Sequence, residues 1–364
     1  MFELISTQDK ARYGRLMVKR GVLETPLFMP VATAGAIKSL TQRDLEALGA
    51  NIILANTYHL SLREVPQLIH QAGSLHQFIG WDKPILTDSG GFQIFSLNNL
   101  TKLSQEGASF RSHIDGQMLH FTPENVTAYQ EQLGSDIHMV LDECLEDGVS
   151  KQRTKESVDL SLSWARRSRK ARHNLELLQF GIVQGGMYPE LRKQSALELT
   201  AMDFEGYGIG GLSVGESKDK MTDMIEIATE HLPQNKPRYL MGVGTPADII
   251  RAVALGVDMF DCVMPTRNAR NGSVFTSFGR LNIRNQEHKF SGEPLDSNCD
   301  CYTCRNHTRS YLRHLFLAKE MTAKTLLTIH NLHFYLKLMT DIRTAIQEQT
   351  FPSLASHILR VFNR

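Results

Sequence analysis

Eight short apolar runs punctuate the 364-residue chain, at 27–31, 52–55, 85–86, 137–141, 180–183, 207–211, 239–243 and 257–260. They are continuous rather than alternating, which is the pattern of parallel strands buried on both faces. Most are separated by stretches with helical starts and stops. Thr41 precedes Arg43-Asp44-Leu45-Glu46, Thr122-Pro123-Glu124 opens another helix, and Gly49 and Gly134 are stops. Eight strand–helix steps in sequence predict an α/β fold, an eight-stranded βα barrel of the TIM type rather than an open sheet. Two hairpins interrupt the alternation, one turning at Asp115-Gly116 and one near Phe278-Gly279. Further strand-like runs in the first 25 residues are expected to cap the bottom of the barrel. The expected division is a barrel of 1–280 and 336–364, with 281–335 as a separate subdomain inserted near the C-terminal end.

Polar residues at the ends of these runs carry the functional signal. ILTDSGG ends at Asp88, MVLDEC at Asp142, GIVQGG at Gln184, GIGGL at Gly211 and Leu212, YLMGVG at 241–244, and MFDC at Asp261. In a barrel all of these ends meet on one face, where activity resides. A single Asp at such a place is commonly a turn or cap residue; three carboxylates and an amide converging there point to an active site. After Asp261, Pro265 is expected to rule out an immediate helix, and Arg267 and Arg270 form a basic rim. Two carboxylates in different environments suit nucleophilic and acid/base work at an anomeric carbon. A third carboxylate beside a primary amide matches the edge of guanine, which offers two adjacent donors and one acceptor.

Composition narrows the setting. No run of 18 apolar residues occurs and the start, MFELISTQDK, lacks an apolar signal core, so a cytoplasmic protein with no membrane partner is expected. A net charge of +1 leaves any nucleic-acid partner to local basic patches. The five cysteines include Cys299, Cys301 and Cys304 in a C-x-C-x-x-C loop, which reads as a metal site rather than disulfides. Three thiolates need a fourth ligand to close a zinc tetrahedron, and His307, His314, His330 and His333 are candidates. Of these, His330 shares helical spacing with Leu326, Leu327 and Phe334. The run ARRSRKARH at 165–173 is read either as the solvated face of a helix or as a phosphate contact. GIGGLSVG lacks the third glycine of a dinucleotide fingerprint.

TDSGGFQ (87–93), DEC (142–144), GIVQGG (181–186), GIGGLSVGE (208–216), YLMGVGTP (239–246), FDCVMPTRNARNG (260–272), CDCYTC and IHNLHFY closely resemble, in order, the motifs of the tRNA-guanine transglycosylases, bacterial type. Members of that family are βα barrels with a zinc subdomain, and they exchange the wobble guanine of queuosine-family tRNAs for a 7-deazaguanine through a covalent enzyme–tRNA intermediate. The resemblance implies Asp261 as nucleophile and Asp88 as general acid/base. It implies Asp142, Gln184, Gly211 and Leu212 on the guanine edge, Phe92 and Met241 on the ring faces, and Arg267 and Arg270 at the anticodon loop of the tRNA. It also implies one structural zinc on Cys299, Cys301, Cys304 and His330, and a homodimer. Val214 and Cys144 resemble the users of 7-aminomethyl-7-deazaguanine, whereas Ser213 agrees with the users of queuine. Two departures stand out: Leu145-Glu146-Asp147-Gly148 replaces a run often rich in proline and tyrosine, and Phe92 stands where some relatives carry Tyr. Two other readings are a zinc-stabilised RNA-binding barrel without catalysis and a phosphosugar enzyme using GVGTP as a phosphate loop. The first has no need of two carboxylates facing a polyanion, and the second leaves the cysteines unexplained.

Overall fold

The computed structural model describes residues 1–97 and 101–363, with side chains 95–97 left aside; residue 364, the end of the expected second barrel segment, lies outside the described residues. Every predicted apolar run becomes a barrel strand. In chain order these are β1 (Leu27–Met29, continued as Val31–Ala32), β2 (Ile53–Asn56), β3 (Ile85–Asp88), β4 (Ile137–Met139), β5 (Leu178–Val183), β6 (Gly206–Ile209), β7 (Arg238–Leu240) and β8 (Met259–Asp261). All neighbours pair in parallel. Pro30, which has no N–H for the ladder, splits β1. Its first half pairs with β8 and its second with β2, so the two halves close the ring. Apart from Val31 and the strand-end residues Asp88 and Asp261, the strands are buried along their lengths, as their apolar sequences require. Packing inside the ring is tight: a Cβ on Gly206 would come within 2.4 Å of the Phe180 ring.

Both hairpins form, Ala108–Arg111 with Met118–Phe121 and Ser273–Thr276 with Gly279–Asn282. The first 25 residues make a three-stranded antiparallel sheet that plugs the end where the barrel strands begin. Arg12 donates to both oxygens of Asp258, just before β8, at 3.0 and 2.6 Å, and to the carbonyls of Gln234 and Lys236 before β7. Both members of this pair are buried, and removing either alone typically costs about 3–5 kcal/mol. Arg20 reaches Asp136, just before β4, at 3.2 Å.

The basic run lies on helix α1 (Lys151–Ala171) and just beyond it. Its arginines are tied to the protein's own carboxylates: Arg166 to Glu198, Arg167 to Glu124, and Arg169 and Arg172 both to Glu205. The expectation about Pro265 is corrected. A helix, α2 (Met264–Arg270), starts directly after β8 with that proline in its first turn, where the missing N–H would have no helical partner in any case.

A smaller core stands apart from the barrel core, built from Ala269, Val274, Ile283, Leu295, Leu312 and Leu327 among others. Helix α3 (Arg309–Leu317) and the start of α4 (Met321–Gln347) belong to it. The second half of α4 packs on the barrel core through Leu332, Tyr335, Leu338 and Ile342. Between the two, buried Asn331 accepts from Phe275 N and donates to Pro265 O and Ser273 O, locking α2 and the hairpin to α4.

Candidate active site at the barrel mouth

Asp88 closes β3, and the register of β2 and β3 sets Asn56 opposite it. Asn56 donates to Asp88 Oδ2 at 2.5 Å, while the backbone N–H groups of Thr57 and Gly90 both donate to Oδ1 at 3.2 Å. Burial nevertheless pushes the Asp88 carboxyl up to about 7, helped by the charge of Asp261 and opposed by these donors. A carboxyl poised there holds and releases a proton near neutral pH. Asp261 closes β8. Its Oδ1 accepts from the Tyr239 hydroxyl at 2.6 Å and from Gly242 N at 2.7 Å. Among the described residues nothing donates to its Oδ2. Burial raises the Asp261 carboxyl as well, against the pull of Tyr239 and Gly242. One oxygen is thus anchored and the other is bare.

Asp142 lies one strand from Asp88, after β4, and accepts from Ser89 Oγ at 3.3 Å and from Gln184 Nε2 at 2.7 Å. Burial is the main reason its carboxyl is pushed up to about 6. The Gln184 amide is pressed against the turn after β6: Gly211 has φ +64°, and a Cβ there would meet Gln184 Oε1 at 2.3 Å. Any residue but glycine would be both strained and obstructed at that point. Leu212 follows, buried. A cavity of about 720 Å³ opens beside Asp142, lined also by Phe92, Cys144, Trp164 and Val214. Phe92 is 51% exposed, so its ring is available to a ligand. Met241, Asp88 and Asp261 do not line this cavity; Met241 lies over the barrel's inner layer, its sulfur 3.1 Å from where a Gly208 Cβ would be. The loop after Cys144 is anchored at both ends, by the Glu143–Arg153 ion pair and by the Tyr188 hydroxyl donating to Val149 O at 2.9 Å.

Arg267 and Arg270 project from α2, one helical turn apart. Burial, together with the charge of Arg267, lowers Arg270, and neither arginine has a carboxylate partner among the described residues.

Cys299, Cys301, Cys304 and His330 bring their four ligand atoms within 4.8 Å of one another. His330 Nε2 lies 2.8 Å from Phe275 O. Donating to that carbonyl fixes the tautomer and leaves the Nδ1 lone pair facing the sulfurs, at 3.7, 3.6 and 3.3 Å. A tetrahedron with metal–sulfur and metal–nitrogen bonds of about 2.3 and 2.05 Å has edges of about 3.6 Å, so the donors fit a closed metal site. The other candidate histidines are outside this group.

The structure adds residues that the sequence reading missed: Asn56 and Ser89, which hold Asp88 and Asp142; Tyr239, which holds Asp261; and the Glu143–Arg153 pair. Asn56 ends its strand as Asp88 does, and Tyr239 opens the YLMGVG motif; only the pairing of strands shows what each touches.

The family model described as queuine tRNA-ribosyltransferase matches residues 7–364. The queuine tRNA-ribosyltransferase of Thermoanaerobacter sp. is 55% identical over 343 residues, which is 94% of this chain and 92% of the relative. That of Francisella tularensis subsp. novicida is 52% identical over 358 residues, 98% of each chain. That of Idiomarina loihiensis is 51% identical over 360 residues, 99% of this chain and 96% of the relative. With matches of this extent, the chain belongs to the queuine tRNA-ribosyltransferases, the tRNA-guanine transglycosylases, which are pentosyltransferases acting on tRNA.

Proposed function

We propose that the enzyme exchanges the wobble guanine of queuosine-family tRNAs for 7-aminomethyl-7-deazaguanine by double displacement at the ribose anomeric carbon. Asp261 Oδ2 attacks C1′ while the C1′–N9 bond breaks, and Asp88 in its acid form supplies the proton the departing guanine takes up. The incoming base returns a proton to Asp88 as its own nitrogen attacks C1′ and expels Asp261. The observation that carries this reading is the pair of strand-end carboxyls in unlike settings: Asp88 near neutral pKa and Asp261 with one anchored and one bare oxygen. Ionised Asp142 accepts from guanine N1–H and the 2-amino group, the second amide hydrogen of Gln184 is free for O6, and the backbone at Gly211 and Leu212 completes the edge. Phe92 and Met241 cover the two ring faces. Arg267 and Arg270 meet phosphates of the anticodon loop.

Val214, half-buried on the cavity wall near Cys144, favours the aminomethyl base over queuine, because three extra carbons at a close wall typically cost about 1–3 kcal/mol. The metal of the Cys3His site is zinc, held structurally by Cys299, Cys301, Cys304 and His330, and its chemistry there is to neutralise three thiolates and staple the small core. The enzyme works as a cytoplasmic homodimer, with the barrel at 1–280 and 336–364 and the zinc subdomain at 281–335; among the described residues no helix is long and apolar enough to span a membrane. Trapping tests the mechanism. Denaturing gels should show a tRNA adduct with wild-type enzyme and none with Asp261→Asn, since an amide is a poor nucleophile; an adduct mapped to Asp88 or Asp142 overturns the assignment.

A further inference from the structure

Helix α4 does more than carry a metal ligand and the Asn331 lock. One turn beyond Asn331, on the same face of the helix, the fully buried Tyr335 donates its hydroxyl to Gly244 O at 2.5 Å. The ring behind that hydroxyl is wedged at the seam of the barrel. Phe28 of β1 lies 4.8 Å from it and Phe275 of the hairpin 5.3 Å, edge-on, and Phe28 is the register partner of Phe260, next to Asp261. Burial raises the Tyr335 hydroxyl well above its ordinary value, so it stays protonated and remains a donor.

The turn that Tyr335 grips is the one that holds Asp261. Gly244 lies directly on Cys262, where an added Cβ would come within 2.3 Å of the Cys262 Cβ. Two residues earlier, Gly242 donates to Asp261 Oδ1 at 2.7 Å. Yet Gly242 is exposed, has φ +72°, and a Cβ on it would meet nothing within 4 Å. Its own surroundings therefore do not aim its N–H. The aim comes from further along the turn, from buried Val243 and from Gly244, whose carbonyl is tied to α4.

We propose that Tyr335 is a positioning residue for base exchange: by fixing Gly244 O it keeps the Gly242 N–H on Asp261 Oδ1, and so keeps the bare Oδ2 aimed at the ribose carbon. The inference rests on the reading of Asp261 as the nucleophile. A carboxylate held by two donors on one oxygen presents the other oxygen in one direction, whereas with a single donor it swings about that bond, and small misplacements of a reacting atom slow a reaction steeply.

The experiment follows single-turnover formation of the denaturant-resistant tRNA adduct, together with steady-state guanine exchange. It compares wild type, Tyr335→Phe, Tyr239→Phe, the double variant and Ile342→Val, a buried site two turns further along α4 that loses packing without touching the turn. A wild-type adduct on Asp261 verifies the reading on which this one rests; an adduct on another carboxylate overturns both. Tyr335→Phe should form the adduct about 2- to 13-fold more slowly, the worth of one hydrogen bond, with KM for tRNA unchanged. Ile342→Val should react like wild type although it also melts earlier. Tyr239→Phe removes the other donor to the same oxygen, so the double variant should be slower by more than the product of the two single factors. Circular dichroism checks folding, and if Tyr335→Phe is unfolded at the assay temperature, all variants are compared at a lower one where it is folded. A Tyr335→Phe rate equal to wild type, a slowing matched by Ile342→Val, or a double variant no slower than the product overturns the proposal.

Discussion

Replacing Asp88 by Asn should stabilise the free enzyme at pH 8 while abolishing base exchange. The Asp88 carboxyl lies at about 7 in the folded chain against an ordinary value of 3.8, a difference worth about 4 kcal/mol. The sign follows from proton uptake. Between these two values the folded state holds a proton that the unfolded state has released, so stability is full below pH 4 and is lost as pH rises through 7. Asn at this position carries no charge to desolvate. It does lose an acceptor: Oδ1 can still receive the Thr57 and Gly90 N–H groups, but the amide replacing Oδ2 would face the Asn56 amide, a mismatch of about 1–2 kcal/mol. The net gain at pH 8 is about 2–3 kcal/mol, or about 3 °C in Tm for a chain of this length. At pH 5 the wild-type penalty falls to about 1.6 kcal/mol, which the mismatch offsets, so the gain should vanish. Thermal unfolding of both proteins at the two pH values, read beside guanine exchange, checks this. A shift in Tm that is equal at pH 5 and pH 8, or a loss at pH 8, refutes the reasoning.

Other outcomes follow from the same geometry. Elemental analysis should find one zinc per chain, and His330→Ala should lose metal and destabilise the small core; full zinc content and unchanged melting would exclude His330 as a ligand. Asp142→Ala should leave tRNA binding nearly intact while exchange falls by about 10⁴ or more, because two base donors lose their acceptor in a dry site; near-normal exchange would assign the edge to another residue. Val214→Gly should shift the ratio of catalytic efficiencies toward queuine by roughly 5- to 150-fold, read by competing the two bases for tRNA, and an unchanged ratio would remove Val214 from specificity.

Much of this architecture is legible in the sequence because barrel strands are sealed on both faces. Continuous apolar runs such as 180–183, too short for a buried helix and set between helical stretches, therefore mark strands, and the polar residue that ends each run marks the mouth. The cysteines of the Cys3His group were legible through spacing alone. What local pattern could not carry is contact across the ring. Tyr239 reads as a core aromatic until the β7–β8 pairing brings its hydroxyl to Asp261. Asn56 reads as a helix cap, which it also is, until its register with Asp88 is known. Pro265 misled in the opposite direction, since proline forbids the interior of a helix but suits its first turn. The charge run at 165–173 was ambiguous because its acidic partners lie on other helices and just before β6.

The split first strand has a consequence for synthesis. Its second half meets β2 almost at once, but Leu27–Met29 must wait for Met259–Asp261, some 230 residues later in the chain. At about 5–20 residues per second, that leaves a strand edge without its neighbour for about 12–46 s on the ribosome. The waiting segment is only three residues long and is bracketed by Pro26 and Pro30, neither of which can donate to an intruding strand. The interruption that looks like a flaw in the finished barrel is thus a guard for the nascent one, keeping its last seam closed to strangers until Met259–Asp261 arrives to fill it.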